Sequence, residues 1–182
     1  MHVPANYDTT RPAPVVLNFH GFGGNRKLQN EIGAFVRDVV ASVSADLCVD
    51  PKRIFATGKS QGGFMSSWLG CVAPDIVAAI APLAGMYEPA QSCAPVPIMQ
   101  FHGKADSTIP FAGGHVLMLG HYPGAGAVMQ EWAHLNGCTG APETAQVTPG
   151  RATRYLSRLH GGYHPIHHRC RTHMAGDEDP RG

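Results

Sequence analysis

The chain lacks the features that mark several broad classes of protein. No apolar run approaches the ~20 residues of a membrane-spanning helix, and a formal net charge of +1 indicates no basic surface for nucleic acid or an anionic membrane. The cysteines form no C-x-x-C pair, no internal repeat is visible, and residues 1–8 lack the basic and apolar regions of a signal peptide. We therefore expect neither a nucleic-acid partner nor a membrane.

The composition that is present suits one globular domain. A length of 182 residues and a hydrophobic fraction of 43% are enough to form a core. The 22 glycines and 15 prolines indicate many short loops. An odd number of cysteines leaves at least one thiol without a partner in the chain; they are Cys48, Cys71, Cys93, Cys138 and Cys170.

Residues 53–64 contain the strongest chemical signal. An apolar run with β character ends in a glycine cluster, and apolar residues then recur at helical spacing from Phe64. Gly58 and Gly62 flank Ser60 as G-x-S-x-G, the pattern of a nucleophile elbow. So tight a turn brings the strand backbone against the helix backbone, where a Cβ would clash. Ser60 is therefore predicted at the apex of a strand–turn–helix unit.

Strand-like and helix-like segments alternate along the chain. Short apolar runs predict strands at residues 14–20, before Gly58, at 76–83 and at 96–102, and residues 153–159 alternate like a last strand. Helical periodicity begins at Glu31, follows Ser60, and recurs around Trp132. This order predicts an α/β fold, a mostly parallel sheet with helices on both faces. Its site should lie at the carboxyl ends of the strands.

Three residues at such strand ends form a candidate triad. Ser60, Asp106 and His164 occur in the order nucleophile, acid, base, each after a predicted strand. Asp106 is preferred because it comes just after the predicted strand at which the acid is expected in this chain order. His164 is preferred because it follows two glycines, which give the loop the flexibility to place an imidazole over the serine. The competing acids are Asp75, Glu88, Asp177, Glu178 and Asp179, and the competing bases are His160, His167 and His168.

Two backbone amides are predicted to stabilise an oxyanion. One belongs to Gln61, directly after the nucleophile, and the other to Phe22 in the glycine-rich turn after the first strand. Histidines and a cysteine near the end of the chain resemble a metal cluster but lack the spacing of a rigid zinc site. We expect no metal and no cofactor; the cluster is His164, His167, His168, Cys170 and His173.

Four segments, residues 20–24, 58–63, 101–106 and 161–164, resemble the family of polyhydroxybutyrate depolymerases and feruloyl esterases. Residues 3–8, 81–85 and 132–138 resemble it too. The nucleophile elbow, with Lys59 before the serine, is most similar to that of secreted fungal feruloyl esterases. The resemblance implies an α/β-hydrolase domain, which we expect over residues 1–170. Residues 171–182 are polar and without periodicity, and we expect them to be a disordered tail. It also implies a secreted serine esterase, without a cofactor, that acts on esters of plant cell-wall polysaccharide or on polyester.

Several activities are compatible with this resemblance. A feruloyl esterase is the leading interpretation; the alternatives are a polyhydroxyalkanoate depolymerase, an acetylxylan esterase, and a truncated inactive fragment or binding module. The secreted family implies disulfides among Cys48, Cys71, Cys93 and Cys138, with Cys170 as the odd thiol.

The chain departs from the family at three places. It begins inside the family's first strands, it lacks a helix–strand unit between Asn30 and Glu31, and it continues differently after His164. The missing strand would border residues 15–19. We therefore expect an exposed edge there, able to pair with a second copy of the chain.

Overall fold

A parallel sheet forms the centre of the computed structural model, which describes residues 1–21, 26–117, 120–148, 152–159 and 174–175. For residues 26–32, 140–148, 152–159 and 174–175 only the backbone is described. The helices are α1 (Arg26–Asp46), α2 (Gln61–Val72) and α3 (Ala125–Leu135). The strands are β1 (Ala13–Phe19), β2 (Val49–Lys59), β3 (Ala79–Leu83), β4 (Gln100–Phe101), β5 (Gly114–Val116), β6 (Gly120–Tyr122), β7 (Cys138–Thr148), β8 (Ala152–Leu159) and β9 (Met174–Ala175).

The central sheet has the order β1-β2-β3-β4-β9, and all of its described pairs are parallel. In the register, Phe19 pairs with Gly58, Lys59 with Leu83, and Leu83 with Phe101. The carboxyl ends of β1 to β4 therefore lie side by side along one edge. The predicted parallel α/β sheet is confirmed.

Strand β1 occupies one end of this order, so among the described strands it has a neighbour on one side only. Its residues alternate between exposed and half-buried, and Val16 is 61% exposed. The edge expected beside residues 15–19 is thus present within the part of the chain that the structure describes.

Helix α2 packs directly on β1, β2 and β3. Phe64 and Leu69 contribute to the core from this helix, while the hydroxyls of Ser66 and Ser67 donate to carbonyls of the same helix. Helix α1 touches α2 where Gly33 faces Trp68, and it begins at Arg26, earlier than the periodicity predicted. Within the described residues, no helix combines the length and apolarity needed to cross a membrane.

Two side chains tie α3 to the loops that lead into and out of the sheet. The Trp132 indole Nε1–H donates to the carbonyl of Tyr87 at 2.8 Å. Asn136 holds Val96 on both sides: its Oδ1 accepts from the Val96 N–H at 3.0 Å, and its Nδ2 donates to the Val96 carbonyl at 2.9 Å. These bonds give a structural reason for Trp132 and Asn136 in the segment 132–138.

The strand predicted at residues 153–159 forms, but outside the central sheet. β8 pairs with β7 in an antiparallel two-stranded sheet, and β9 joins the central sheet beside β4 instead. The alternating pattern of residues 153–159 is typical of a strand with one solvated face, whereas buried parallel strands are continuously apolar. β9 falls within the segment expected to be a tail; residues 176–182 lie outside the described residues.

The cysteine prediction was partly wrong. Cys71, near the end of α2, forms a disulfide with Cys93 in the loop before β4, with the two Cα atoms 4.6 Å apart. Cys138 is also disulfide-bonded. Cys48, predicted to be bonded, is a free thiol. Its backbone is held instead by other groups, since its N–H donates to the Tyr7 hydroxyl and its carbonyl accepts from Ala13.

Candidate active site

Ser60 lies in the turn between β2 and α2, in a conformation that non-glycine residues rarely adopt. Its backbone angles are φ 58° and ψ −118°. Its N–H donates to the carbonyl of Leu83 at 2.8 Å, and its carbonyl accepts from Gly63 at 2.9 Å and Phe64 at 3.1 Å. A strained residue persists only where its surroundings fix it, as the neighbouring strand and helix do here, and such residues cluster at functional sites.

The glycines around Ser60 allow backbones to come into direct contact. A Cβ on Gly62 would collide with the carbonyl oxygen of Phe19 on β1, and a Cβ on Gly58 would lie 2.6 Å from the carbonyl carbon of Gly62. A Cβ on Gly63 would lie 2.5 Å from the oxygen of Gly85. The strand–turn–helix unit predicted from the G-x-S-x-G pattern therefore forms, for the packing reason expected.

The exit of β1 also lies against Ser60. A Cβ built on Gly21 would be 3.7 Å from the Ser60 Cβ and 3.4 Å from the Lys59 oxygen. The imidazole Nδ1 of His20 donates to the Gly21 carbonyl at 2.6 Å. The first turn residue after β1 is thus beside the serine, while Phe22, the predicted oxyanion donor, lies outside the described residues. Gln61, the other predicted donor, is the first residue of α2.

Asp106 follows β4 at the same edge of the sheet. Its Oδ1 accepts from the backbone N–H groups of Thr108 and Ile109, both at 2.9 Å. Its own N–H donates to the Gly103 carbonyl at 3.2 Å. β4 is two strands from β2, so the two strand ends are about 10 Å apart at the usual strand spacing. An imidazole that hydrogen-bonds through both nitrogens can bridge such a gap between a serine and a carboxylate.

The structure separates Asp106 from one of its competitors. Asp75 lies between α2 and β3, at the opposite edge of the sheet from Ser60. Both its carboxylate oxygens accept from the Arg37 guanidinium, at 2.6 and 2.9 Å, and these hydrogen bonds hold the pKa of Asp75 below its ordinary value. Glu88 is an exposed residue in the loop after β3.

The predicted base, His164, lies outside the described residues. So do its competitors and the remaining members of the metal-like cluster, residues 160, 167, 168, 170 and 173. Within the described ranges, no group of three or more His, Cys, Asp or Glu side chains is placed to hold a metal ion. The described part of the site therefore contains a serine, an acid and two neighbouring loop backbones.

Sequence reasoning overlooked a buried polar cluster beneath Asp106. Gln100 and His102 are 0% and 2% exposed, and Tyr122 lies beside them with its ring stacked on His102 at 6.4 Å. Burial raises the pKa of Tyr122 to about 12, which the nearby Gln100 amide partly opposes. The hydroxyl of Tyr122 and Oε1 of Gln100 have no aligned hydrogen-bond partner among the described residues. The sequence offered one indication of this cluster: His102 is a polar residue at the end of an apolar predicted strand, directly before Gly103.

The chain has curated relatives among feruloyl esterases, although no family model matches it. It is 37% identical over 142 residues to feruloyl esterase B of Piromyces equi, covering 70% of this chain and 26% of that protein. It is 29% identical over 151 residues to feruloyl esterase D of Neurospora crassa, covering 81% of this chain and 47% of that protein. The chain thus spans between about a quarter and about half the length of these relatives.

The fold also matches a solved esterase. An acetyl xylan esterase from Aspergillus awamori superposes with a TM-score of 0.60 at 14% identity, covering 85% of this chain and 81% of that one. At this identity the likeness supports the fold alone, and it agrees with the parallel sheet and the serine turn described above. The sequence comparisons thus support a feruloyl esterase-like family, and the solved structure supports an esterase fold of the α/β-hydrolase type.

Proposed function

We propose that this protein is a serine carboxylester hydrolase with Ser60 as nucleophile, His164 as base and Asp106 as the acid that orients the base. The single observation that carries the proposal is the strained turn at Ser60, with φ 58°, packed between glycine backbones. Such a turn lifts the serine hydroxyl out of the sheet at the start of a helix, where backbone amides point outward.

The chemistry follows from these roles. Ser60 Oγ attacks the ester carbonyl carbon while the base takes its proton, which forms a tetrahedral intermediate with a negatively charged oxygen. The amides of Gln61 and Phe22 are the proposed donors to that oxygen. The intermediate collapses to an acyl-enzyme, and the alcohol leaves with the proton from the base. Water then attacks the acyl-enzyme by the reverse proton transfers and releases the acid.

For the substrate, we propose esters of hydroxycinnamic acids such as ferulate on plant cell-wall polysaccharide. The support is the 37% identity to a protein named feruloyl esterase B. Hydrolysis of polyhydroxyalkanoate and hydrolysis of acetylxylan are the two alternative activities. Hydrolysis of a polyhydroxybutyrate film or of acetylated xylan in preference to methyl ferulate would replace this substrate class with the corresponding alternative.

The experiment is a comparison of matched variants on p-nitrophenyl acetate and methyl ferulate. Ser60→Ala should lower kcat by a factor on the order of 10⁶, and Asp106→Asn by a factor on the order of 10⁴. Asp75→Asn is the control because that carboxylate pairs with Arg37 at the far edge of the sheet. A kcat of Ser60→Ala within tenfold of the parent would refute Ser60 as the nucleophile. An Asp75→Asn variant that loses activity while Asp106→Asn keeps it would refute the choice of Asp106 as the acid.

We further propose that the protein works outside the cell. The Cys71–Cys93 disulfide supports this, because disulfides persist in oxidising compartments. Thiol titration of denatured, unreduced protein purified from its source tests the proposal. Five reactive thiols would indicate a reducing compartment instead.

A further inference from the structure

His102 is a buried polar residue to which the proposed chemistry gives no role. It follows β4 directly, is 2% exposed, and lies four residues before Asp106. The ring of Phe111 meets it edge-on at 5.6 Å, and the ring of Tyr122 stacks on it at 6.4 Å. Buried polar side chains are retained where their hydrogen bonds fix a particular geometry.

One ring nitrogen of His102 makes a short hydrogen bond. Nε2 is 2.8 Å from the Ile109 carbonyl oxygen, which can only accept, so Nε2 carries a hydrogen. On its other side the ring lies against Gln100, whose side-chain nitrogen is 3.4 Å from Nδ1. His102 therefore donates to Ile109 through Nε2.

Ile109 connects this ring to the carboxylate. Its carbonyl accepts from His102, and its N–H donates to Oδ1 of Asp106 at 2.9 Å. His102 thus closes the loop from 102 to 109 at its base, and the closed loop presents two amides to a single oxygen of Asp106.

The second carboxylate oxygen is left out of this arrangement. Oδ2 of Asp106 is 3.9 Å from Nε2 of His102, too far for a hydrogen bond. The Asp106 side chain is 21% exposed, and both hydrogen bonds described for its carboxylate are accepted by Oδ1. His102 therefore holds the loop without occupying the oxygen that a base would need.

We propose that His102 is a positioning residue: by bonding Ile109 it fixes the orientation of the Asp106 carboxylate, and through it the base. This inference rests on the proposed function, since Asp106 must be the acid of the triad. Misplacing a catalytic group by about 1 Å can cost on the order of 10²-fold in rate.

The test uses three replacements of His102. Glutamine places an amide N–H near the position of Nε2, asparagine is polar but too short to reach Ile109, and leucine is apolar. We expect His102→Leu and His102→Asn to lower kcat on p-nitrophenyl acetate by about 10²-fold with KM within about twofold, and His102→Gln to stay within about tenfold of the parent.

The pH profile separates positioning from a merely structural role. A nearby carboxylate raises the pKa of the base by favouring its charged form. Once Asp106 is misoriented, the acid limb of kcat/KM should move to lower pH in His102→Leu and His102→Asn, as it should in Asp106→Asn, and stay in place in His102→Gln.

Each outcome decides between specific claims. If His102→Leu fails to fold, the Gln and Asn pair still decides, since equal kcat and equal acid limbs in those two variants overturn the inference. An unchanged acid limb together with lowered kcat in all three variants also overturns it. Labelling of the parent at Ser60 by a fluorophosphonate is measured alongside; its absence would refute the proposed function itself, whereas a labelled parent with unaffected variants refutes only the role of His102.

Discussion

Ser60 combines a strained backbone with the side chain that the proposed chemistry requires. A positive φ at a non-glycine residue costs on the order of 1–3 kcal/mol, and Ser60 has φ 58°. Glycine would relieve this strain, but it lacks the hydroxyl that the proposed nucleophile needs. This predicts a trade-off between stability and activity at this one position.

Two replacements of Ser60 test that trade-off. Alanine keeps the strain, and glycine removes it at an entropic cost of roughly 0.5–1 kcal/mol. Ser60→Gly should therefore be more stable than Ser60→Ala by about 1 kcal/mol, with both inactive. Urea unfolding of the two variants measures the difference, and an alanine variant at least as stable as the glycine variant would show that the turn is unstrained.

The burial of Tyr122 predicts that the stability of the folded protein depends on pH in the alkaline range. Burial raises its pKa from 10.0 to about 12, so folding keeps its proton bound in a range where the unfolded chain loses it. The stability gained by burying neutral Tyr122 is therefore complete below pH 10 and is lost as the pH rises from 10 to about 12. Tyr122→Phe should lack this loss.

The measurement is the difference in free energy of unfolding between the parent and Tyr122→Phe at several pH values from 9 upward. Other titrating groups are common to both proteins and cancel in that difference. The parent should lose stability relative to the variant as the solution becomes more alkaline. A constant difference across the range would mean that the hydroxyl is not buried in the folded protein.

The junction of β1, β2 and α2 depends on the absence of side chains at its glycines. A Cβ on Gly62 would meet the Phe19 carbonyl oxygen, which is backbone and has little freedom to move. We expect Gly62→Ala to destabilise the protein by more than about 3 kcal/mol and to disturb the turn at Ser60. Thermal unfolding and ester hydrolysis measure the two effects.

Gly126 in α3 is the matched control. A Cβ there meets no atom within 4 Å, and the residue is exposed. Gly126→Ala should stabilise the protein by about 0.5–1 kcal/mol, because alanine favours the helix and restricts the unfolded chain. Comparable melting temperatures for the two variants would contradict the proposed packing of the elbow.

The elements that the sequence predicted well are those whose pattern is local. β1, β2 and α2 show apolar runs or helical periodicity, and the turn at Ser60 has its glycines at fixed spacing. No strand was predicted at β7, and β8 was expected beside the strands of the parallel sheet. The two strands instead pair with each other, with Thr148 opposite Ala152, so β8 is explained by its neighbour in the sequence and not by the central sheet. The bond from His102 to Ile109 was missed because it spans a loop, and no spacing rule relates those residues.

At the scale of the whole molecule, the edge at β1 remains incompletely covered within the described chain. Val16 on β1 is 61% exposed and Phe35 on α1 is 62% exposed. Each large apolar side chain left in water forgoes roughly 1.5–3 kcal/mol of burial, and a bare edge strand can pair with another chain. We therefore predict low stability and self-association through β1.

A charge beside the edge should suppress that association. The parent should gain apparent mass with concentration in light scattering, and Val16→Lys should remain a monomer. Leu117→Lys is the control, because Leu117 is 83% exposed in the turn after β5, which belongs to a separate two-stranded sheet. A parent that is monomeric at every concentration would mean that the edge does not mediate pairing.

The central claim is that Ser60 is the nucleophile of an ester hydrolase. Its most direct measurement is reaction of the parent and of Ser60→Ala with a fluorophosphonate, followed by intact mass and peptide mapping. The account predicts one adduct on the parent, located on Ser60, and none on Ser60→Ala. An unmodified parent, or equal modification of both proteins, would contradict it.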